Sequence, residues 1–188
     1  MARPGIHVDD PSALRALAHP LRLRILGTLR ADGPQSVGSL ARTLDVAPGS
    51  VSYHVATLEK HGFVVEAPEL ARNGRERWWR ATAESTAFDP VELSMDPDRR
   101  EAGQAFRRTI VQAYANELQR YLDTEESLDA EWIAAGVQGD SFAWLTPRQL
   151  REFSDAAEEL ARRFGAASDR DQPGARATRL IYASFRRP

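Results

Sequence analysis

Between Leu44 and Pro48 only three residues, Asp45-Val46-Ala47, separate two amphipathic patterns, and this gap constrains the fold more than any other feature of the chain. Before it, Val37, Leu40, Ala41 and Leu44 fall at i, i+3, i+4 and i+7, one face of a helix for which Ser36 is a good N-cap. After it, residues 48–61 open with proline at a first helical position and stop at Gly62, with Val51, Val55 and Leu58 as the apolar stripe. So short a connection forces the two helices to cross steeply, as in a helix-turn-helix.

The flanking patterns fit the same frame. Pro20 interrupts whatever precedes it and can itself start a helix, so residues 12–30 read as two helices. Leu14, Leu17 and Ala18 form the first stripe; Leu21, Ile25, Leu26 and Leu29 form the second, closed by Gly33 ahead of Pro34. Beyond Gly62 the pattern turns extended. Residues 63–67 and 76–81 are predicted strands of a hairpin centred on Asn73-Gly74, with Arg72, Arg75 and Arg77 close to its tip. Trp78 and Trp79 then point to opposite faces, one into the core and one toward a C-terminal domain, a second copy or a ligand. Helices followed by a basic hairpin make a winged helix.

Residues 84–97 hold two Asp-Pro steps and little periodicity, the pattern of a linker. A helix is predicted over 98–122, with Phe106, Ile110, Tyr114, Leu118 and Tyr121 along one side. At about 1.5 Å per residue it would be roughly 37 Å long, more than a lone small domain needs, and it calls for a partner. Ser141 to Leu145 alternates as a strand, Thr146-Pro147-Arg148-Gln149 fits a capping box, and the helix it opens carries Leu150, Phe153, Ala157, Leu160 and Phe164 up to Gly165. Residues 177–185 read as a final strand pairing with 141–145. The expected fold is mainly α with small β: a winged helix-turn-helix over 1–83, a linker over 84–97, and a C-terminal α+β dimerisation and effector-type domain over 98–188.

Composition removes many functions. The chain has no cysteine, so disulfides, thiolate metal sites, Fe–S clusters and cysteine nucleophiles are excluded. It has no apolar run approaching a membrane span, and its first residues, "MARPGIHVDDPS", lack the hydrophobic stretch of a secretory signal, so the expected compartment is the cytoplasm. The net charge of −2 hides an asymmetry: residues 1–83 carry 11 basic and 8 acidic side chains, against 14 and 19 for the remainder. The N-terminal part is the better partner for a polyanion.

Taken together, "ALAHPLRLRILGTL", "VGSLARTLDVAPGSVSYHVATLEKHGFV" and "GRERWWR" resemble the winged helix-turn-helix of ArsR-type bacterial transcriptional regulators, over about residues 13–83. The resemblance is narrower to members with an additional helical C-terminal domain, and looser over 98–188. It implies a homodimer that places the helix over 48–61 of each protomer in successive major grooves of double-stranded DNA, with the wings against the backbone. The DNA-facing residues it implies are Ser50, Ser52, Tyr53 and His54 at the helix tip, Thr57 and Lys60 further along, and Arg75 and Arg77 on the wing. Family members often place donors where this chain has Pro48 and Gly49, which shifts the expected readout toward Ser52, Tyr53, His54 and DNA shape.

Other chemistries fit less well. Family metal sites built on cysteine are closed to this chain, and His54 and His61, about 10.5 Å apart along a helix, are too distant to share one ion. No metal site or cofactor is therefore expected. Trp132, Phe142, Trp144 and Tyr182 have two readings, hydrophobic core or an aromatic pocket for a small-molecule effector. The carboxylates Glu125, Glu126, Asp129 and Glu131 have two readings, a site for a hard cation or a solvated helix end or loop. No Gly-x-Ser-x-Gly, phosphate-binding loop or paired-His motif appears, so no enzyme is expected. The competing function is a winged-helix adaptor that binds another protein and touches DNA weakly or not at all.

Overall fold

The computed structural model describes residues 5–71 and 76–187, and the chain divides into two units, Met1–Gln119 and Arg120–Pro188. Strand β1 (Ile6–His7) leads into helix α1 (Pro11–Leu17), whose N-cap Asp10 accepts from the Ala13 N–H at 2.8 Å. Helix α2 (Pro20–Ala31) follows, capped by His19, and Gly33 beyond it takes a left-handed φ of 85° that favours glycine. Strand β2 (Gln35–Ser36) and helix α3 (Val37–Leu44) share a residue's work, because the Ser36 hydroxyl caps α3 by accepting from the Ser39 N–H.

Asp45 ends α3 in the left-handed region at φ 52°, and helix α4 (Pro48–Lys60) starts three residues on. Its N-cap, Ala47, offers only a methyl group, so no side chain covers the N-terminal N–H groups from that position. Strand β3 (Val64–Glu66) leads to a short 3-10 turn, and strand β4 (Trp78–Ala81) completes an antiparallel sheet ordered β2-β4-β3. Val64 pairs with Ala81, Glu66 with Trp79, and Ser36 with Trp78. The Asn73-Gly74 turn lies outside the described residues, and the two strands are shorter than 63–67 and 76–81 but sit inside them.

The stripes predicted for the helices meet in one core: Leu14, Leu17, Ile25, Leu26, Leu40, Val51, Val55 and Leu58, with Phe63 just before β3 and Trp79 on β4. Trp79 is the inward tryptophan and Trp78 is half-buried, as alternation along a strand requires.

The linker expected over 84–97 is instead structured. Strand β5 (Thr86–Ala87) pairs in parallel with β1, and helix α5 (Pro90–Ser94), capped by Asp89, buries Leu93. Helix α6 (Pro97–Thr124) then runs 28 residues, slightly beyond the predicted 98–122. Its first half belongs to the core of the first unit through Ala102, Gly103 and Phe106, Gly103 being where Leu93 comes closest. The division of the chain thus falls inside a helix, not in 84–97, because the burial that holds α6 to the first unit fades after Ile110.

The second unit holds the end of α6, helix α7 (Ala130–Ala135) and helix α8 (Pro147–Ala166). The capping box of α8 is formed as predicted: the Gln149 N–H donates to Thr146 Oγ1 at 3.3 Å, and the Thr146 N–H to Gln149 Oε1 at 3.0 Å. The strands expected over 141–145 and 177–185 are absent among the described residues, and this half is helical, not α+β. An alternating pattern favours a strand, but a strand also needs a hydrogen-bonding neighbour in register.

Candidate nucleic-acid interface

Helix α4 has two unlike sides. Val51, Val55 and Leu58 are fully buried against the rest of the first unit, while Pro48, Gly49, Ser52, Tyr53 and Lys60 lie exposed and Ser50 is half-buried. Tyr53 is 67% exposed, which for so large a side chain on a rigid helix means that it stands out from the surface. Lys60 occupies the last turn, where the helix dipole favours a cation. The Thr57 hydroxyl donates to the Tyr53 carbonyl at 3.1 Å, so its first partner is its own helix. The outward side therefore offers hydroxyls, a phenol, an ammonium and an N-terminus without a side-chain cap at Ala47.

His54 departs from expectation. It is only 8% exposed and turns inward, its ring centre 4.4 Å from that of His19, with Tyr53 meeting it edge-on at 5.1 Å. It does not belong to the outward-facing set. His19 caps α2, its Nδ1 accepting from the Leu21 N–H at 3.2 Å, so the ring pair joins the start of α2 to α4. Both imidazoles are held below the ordinary histidine range, in each case first by burial. For His19 the Arg22 cation adds to the effect; for His54, His19 and then Arg22 do so. Nδ1 of His54 is buried and, among the described residues, has no hydrogen-bond partner.

This pair gives a pH dependence of fixed sign. Both rings bind protons more weakly folded than unfolded, so the unfolded chain protonates first on acidification and stability falls as pH drops through about 6.5 and below. Above that window the pair makes no difference. Urea unfolding between pH 8 and pH 5 should show the midpoint falling on the acid side, with a shallower fall in His54→Leu; equal slopes in the two proteins would contradict it.

On the wing, Arg77 grips Glu66 with two hydrogen bonds, at 3.0 and 2.8 Å, across the strand pair, and its guanidinium carbon lies 4.7 Å from the centre of the Trp79 ring. The carboxylate raises the arginine's pKa, and the arginine lowers that of Glu66. A phosphate would have to share this cation with Glu66. Arg75 and Arg72 lie outside the described residues.

Sequence reading missed the arginines of α2. Arg22 donates to the Ala16 and Arg15 carbonyls at the end of α1, and Arg24 donates to the Leu44 carbonyl at 2.9 Å, tying α2 to the residue just before the turn. Their positions on the polar side of the α2 stripe gave no sign of these long-range acceptors.

In the second unit, Trp132 is half-buried, whereas Phe142, Trp144 and Tyr182 are largely in solvent. Side chains this open line no enclosed cavity among the described residues. No helix among the described residues is long and apolar enough to cross a membrane.

Comparison with known proteins agrees with the local geometry. Residues 17–67 match the family model described as a helix-turn-helix domain. No curated protein matches the sequence. Among solved structures, the ArsR family transcriptional regulator RHA00566 is similar at 25% identity, over 60% of this chain and 89% of that one, with a TM-score of 0.32. The transcriptional regulator PA4135 is similar at 19% identity, over 76% of this chain and 78% of that one, also with a TM-score of 0.32. Scores this low establish no shared arrangement over the whole chain. The match over residues 17–67 stands on its own: this segment, which holds α3, the three-residue turn and α4, is similar to a helix-turn-helix domain.

Proposed function

We propose that the chain is an ArsR-type winged helix-turn-helix transcriptional regulator, a cytoplasmic, homodimeric repressor that binds an inverted-repeat operator in double-stranded DNA. The observation that carries this reading is α4: a helix anchored by three fully buried aliphatic residues, three residues after its partner helix, with Ser52, Tyr53 and Lys60 standing outward. Such a helix fits the major groove, whose floor is read by hydroxyl and phenol donors and whose walls are phosphates. The N-terminal turn at Pro48 and Gly49 is open to solvent, with no atom within 4 Å of where a Cβ would stand at Gly49, so a phosphate can reach the helix N-terminus there. Ser50 and Thr57, both half-hidden, are secondary contacts, and Arg75 and Arg77 are assigned to the flanking backbone.

Two copies related by a two-fold axis would read half-sites about 34–36 Å apart, one turn of the double helix. The exposed stripe of α6, Val111, Tyr114, Leu118 and Leu122, falls at i, i+3, i+7 and i+11 and gives each copy an apolar seam for its twin. No catalytic step is assigned.

Salt dependence separates this reading from a protein-binding adaptor. Phosphate neutralisation makes the logarithm of affinity fall linearly with the logarithm of salt, by about 0.9 for each phosphate neutralised. Binding to an isolated operator fragment should show such a slope, and Arg77→Ala or Lys60→Ala should each reduce it by about one contact. A salt-insensitive affinity would favour the adaptor.

A further inference from the structure

One titratable side chain of the reading helix has no part in the function proposed above. His54 is 8% exposed, and its ring lies 4.4 Å from that of His19, tilted by 40°. Tyr53, 67% exposed, meets the same imidazole edge-on, at 5.1 Å and 75°. Among the described residues this is the contact that the Tyr53 ring makes, because the Thr57 hydroxyl bonds its main-chain carbonyl and not its side chain. The phenol assigned to DNA therefore leans on one imidazole, and that imidazole leans on a second.

The surroundings of the two rings fix the protonation state in which this stack stands. His19 Nδ1 accepts from the Leu21 N–H at 3.2 Å, which requires a bare nitrogen there, so a proton on it removes the cap of α2. His54 Nδ1 is buried and has no hydrogen-bond partner among the described residues, so no acceptor beside it steadies a charge. Arg22 on α2 acts against a charge on either ring, and His19 acts against one on His54. The Ala16 and Arg15 carbonyls at the end of α1 hold that guanidinium where it is. On α4 the titratable neighbour is the Tyr53 phenol, while the Asp10 carboxylate at the start of α1 acts on His61, beyond the end of α4, and on neither ring. A proton entering the stack thus meets a fixed cation, a second imidazole and, among the described residues, no carboxylate. The charged ring must leave its place.

Resting on the reading of α4 as the helix that reads DNA, we propose that His54 is a positioning residue for Tyr53: with both imidazoles neutral the stack holds the phenol in its outward pose, and one proton taken up by the pair releases it and weakens DNA binding. The neutral stack is then the binding-competent state, and affinity falls as the pH drops through the titration of the pair. Both rings titrate below the ordinary histidine value, so the loss sets in below about pH 6.5. With one proton released on binding it approaches about tenfold per pH unit. This sign is opposite to that of a histidine in direct contact with phosphate, whose proton would strengthen binding on acidification.

Two measurements on the full chain test this. In the free protein, NMR of the histidine and tyrosine rings between pH 8 and pH 5 should show the Tyr53 ring protons moving with the His54 midpoint. His19→Asn, which keeps a capping side chain for α2, should carry that midpoint to higher pH. Tyr53 signals indifferent to the His54 titration, or a His54 ring that stays neutral until the protein unfolds, would overturn the positioning role. The wild-type signals need neither DNA nor a folded variant. On the DNA fragment retained from a genomic pool, wild-type affinity should fall at least about 3-fold from pH 7 to pH 5, and His54→Leu and Tyr53→Ala should each lose most of that dependence. An equal fall in both variants, or an affinity that rises in acid, would overturn the proton-linked loss. Retention of no DNA at any pH would overturn the reading of α4 and the effect on binding together, whereas the Tyr53 signals would still decide the stack.

Discussion

Truncating Phe106 to alanine is expected to cost the first unit about 3–5 kcal/mol, the usual range for a buried phenylalanine. Phe106 is fully buried and meets Phe88 edge-to-face, with ring centres 5.6 Å apart. It sits on α6, which by sequence alone belongs to the C-terminal part, yet with Ala102 and Gly103 it fastens that helix to the core that positions α4. A domain's total stability is about 5–15 kcal/mol, so the loss would be felt as a large drop in the urea midpoint. Val111→Ala, one turn further and exposed, should cost under about 0.5 kcal/mol in the same assay if the protein is kept monomeric. Equal and small effects at both positions would mean that α6 is not part of this core.

The second large effect is on binding. Tyr53→Ala should weaken operator affinity by about 10- to 100-fold, the size of one or two lost base or backbone contacts of about 1–3 kcal/mol. It should leave unfolding unchanged within about 0.5 kcal/mol, since the ring is mostly in solvent. His54→Ala is the informative contrast. Its ring is buried against His19, so substitution should lower stability first and affinity only through the seating of α4. Gel-shift titration beside urea unfolding distinguishes the two; a Tyr53→Ala protein that binds normally would move the contact surface elsewhere.

The helix-turn-helix was legible because its signal is local. A three-residue turn between two stripes leaves the backbone few options, and the caps at Ser36 and Thr146 are written in hydroxyls at fixed offsets. His54 was not legible. Helical periodicity placed it on the flank of α4, and which flank tucks inward depends on where His19 ends up, a tertiary fact. Likewise β5 pairs two residues with β1 across most of the intervening helices, Ile6 with Thr86 and His7 with Ala87, and a two-residue strand has no periodicity to detect. The break inside α6 left no trace in composition, because the helix continues while only its burial ends. For 141–145 and 177–185 the alternation was visible and the intrachain pairing inferred from it was not realised, since the pattern specifies an extended segment but not its neighbour.

DNA reading by α4 is tested most directly by incubating the protein with fragmented genomic DNA at near-physiological salt, in parallel with a Ser52→Ala/Tyr53→Ala variant, and sequencing what each retains. A DNA-reading α4 requires enrichment of one inverted-repeat sequence with half-sites about one helical turn apart, lost in the variant. Retention without enrichment, or the same enrichment in both proteins, would contradict the assignment of α4 as the helix that reads DNA.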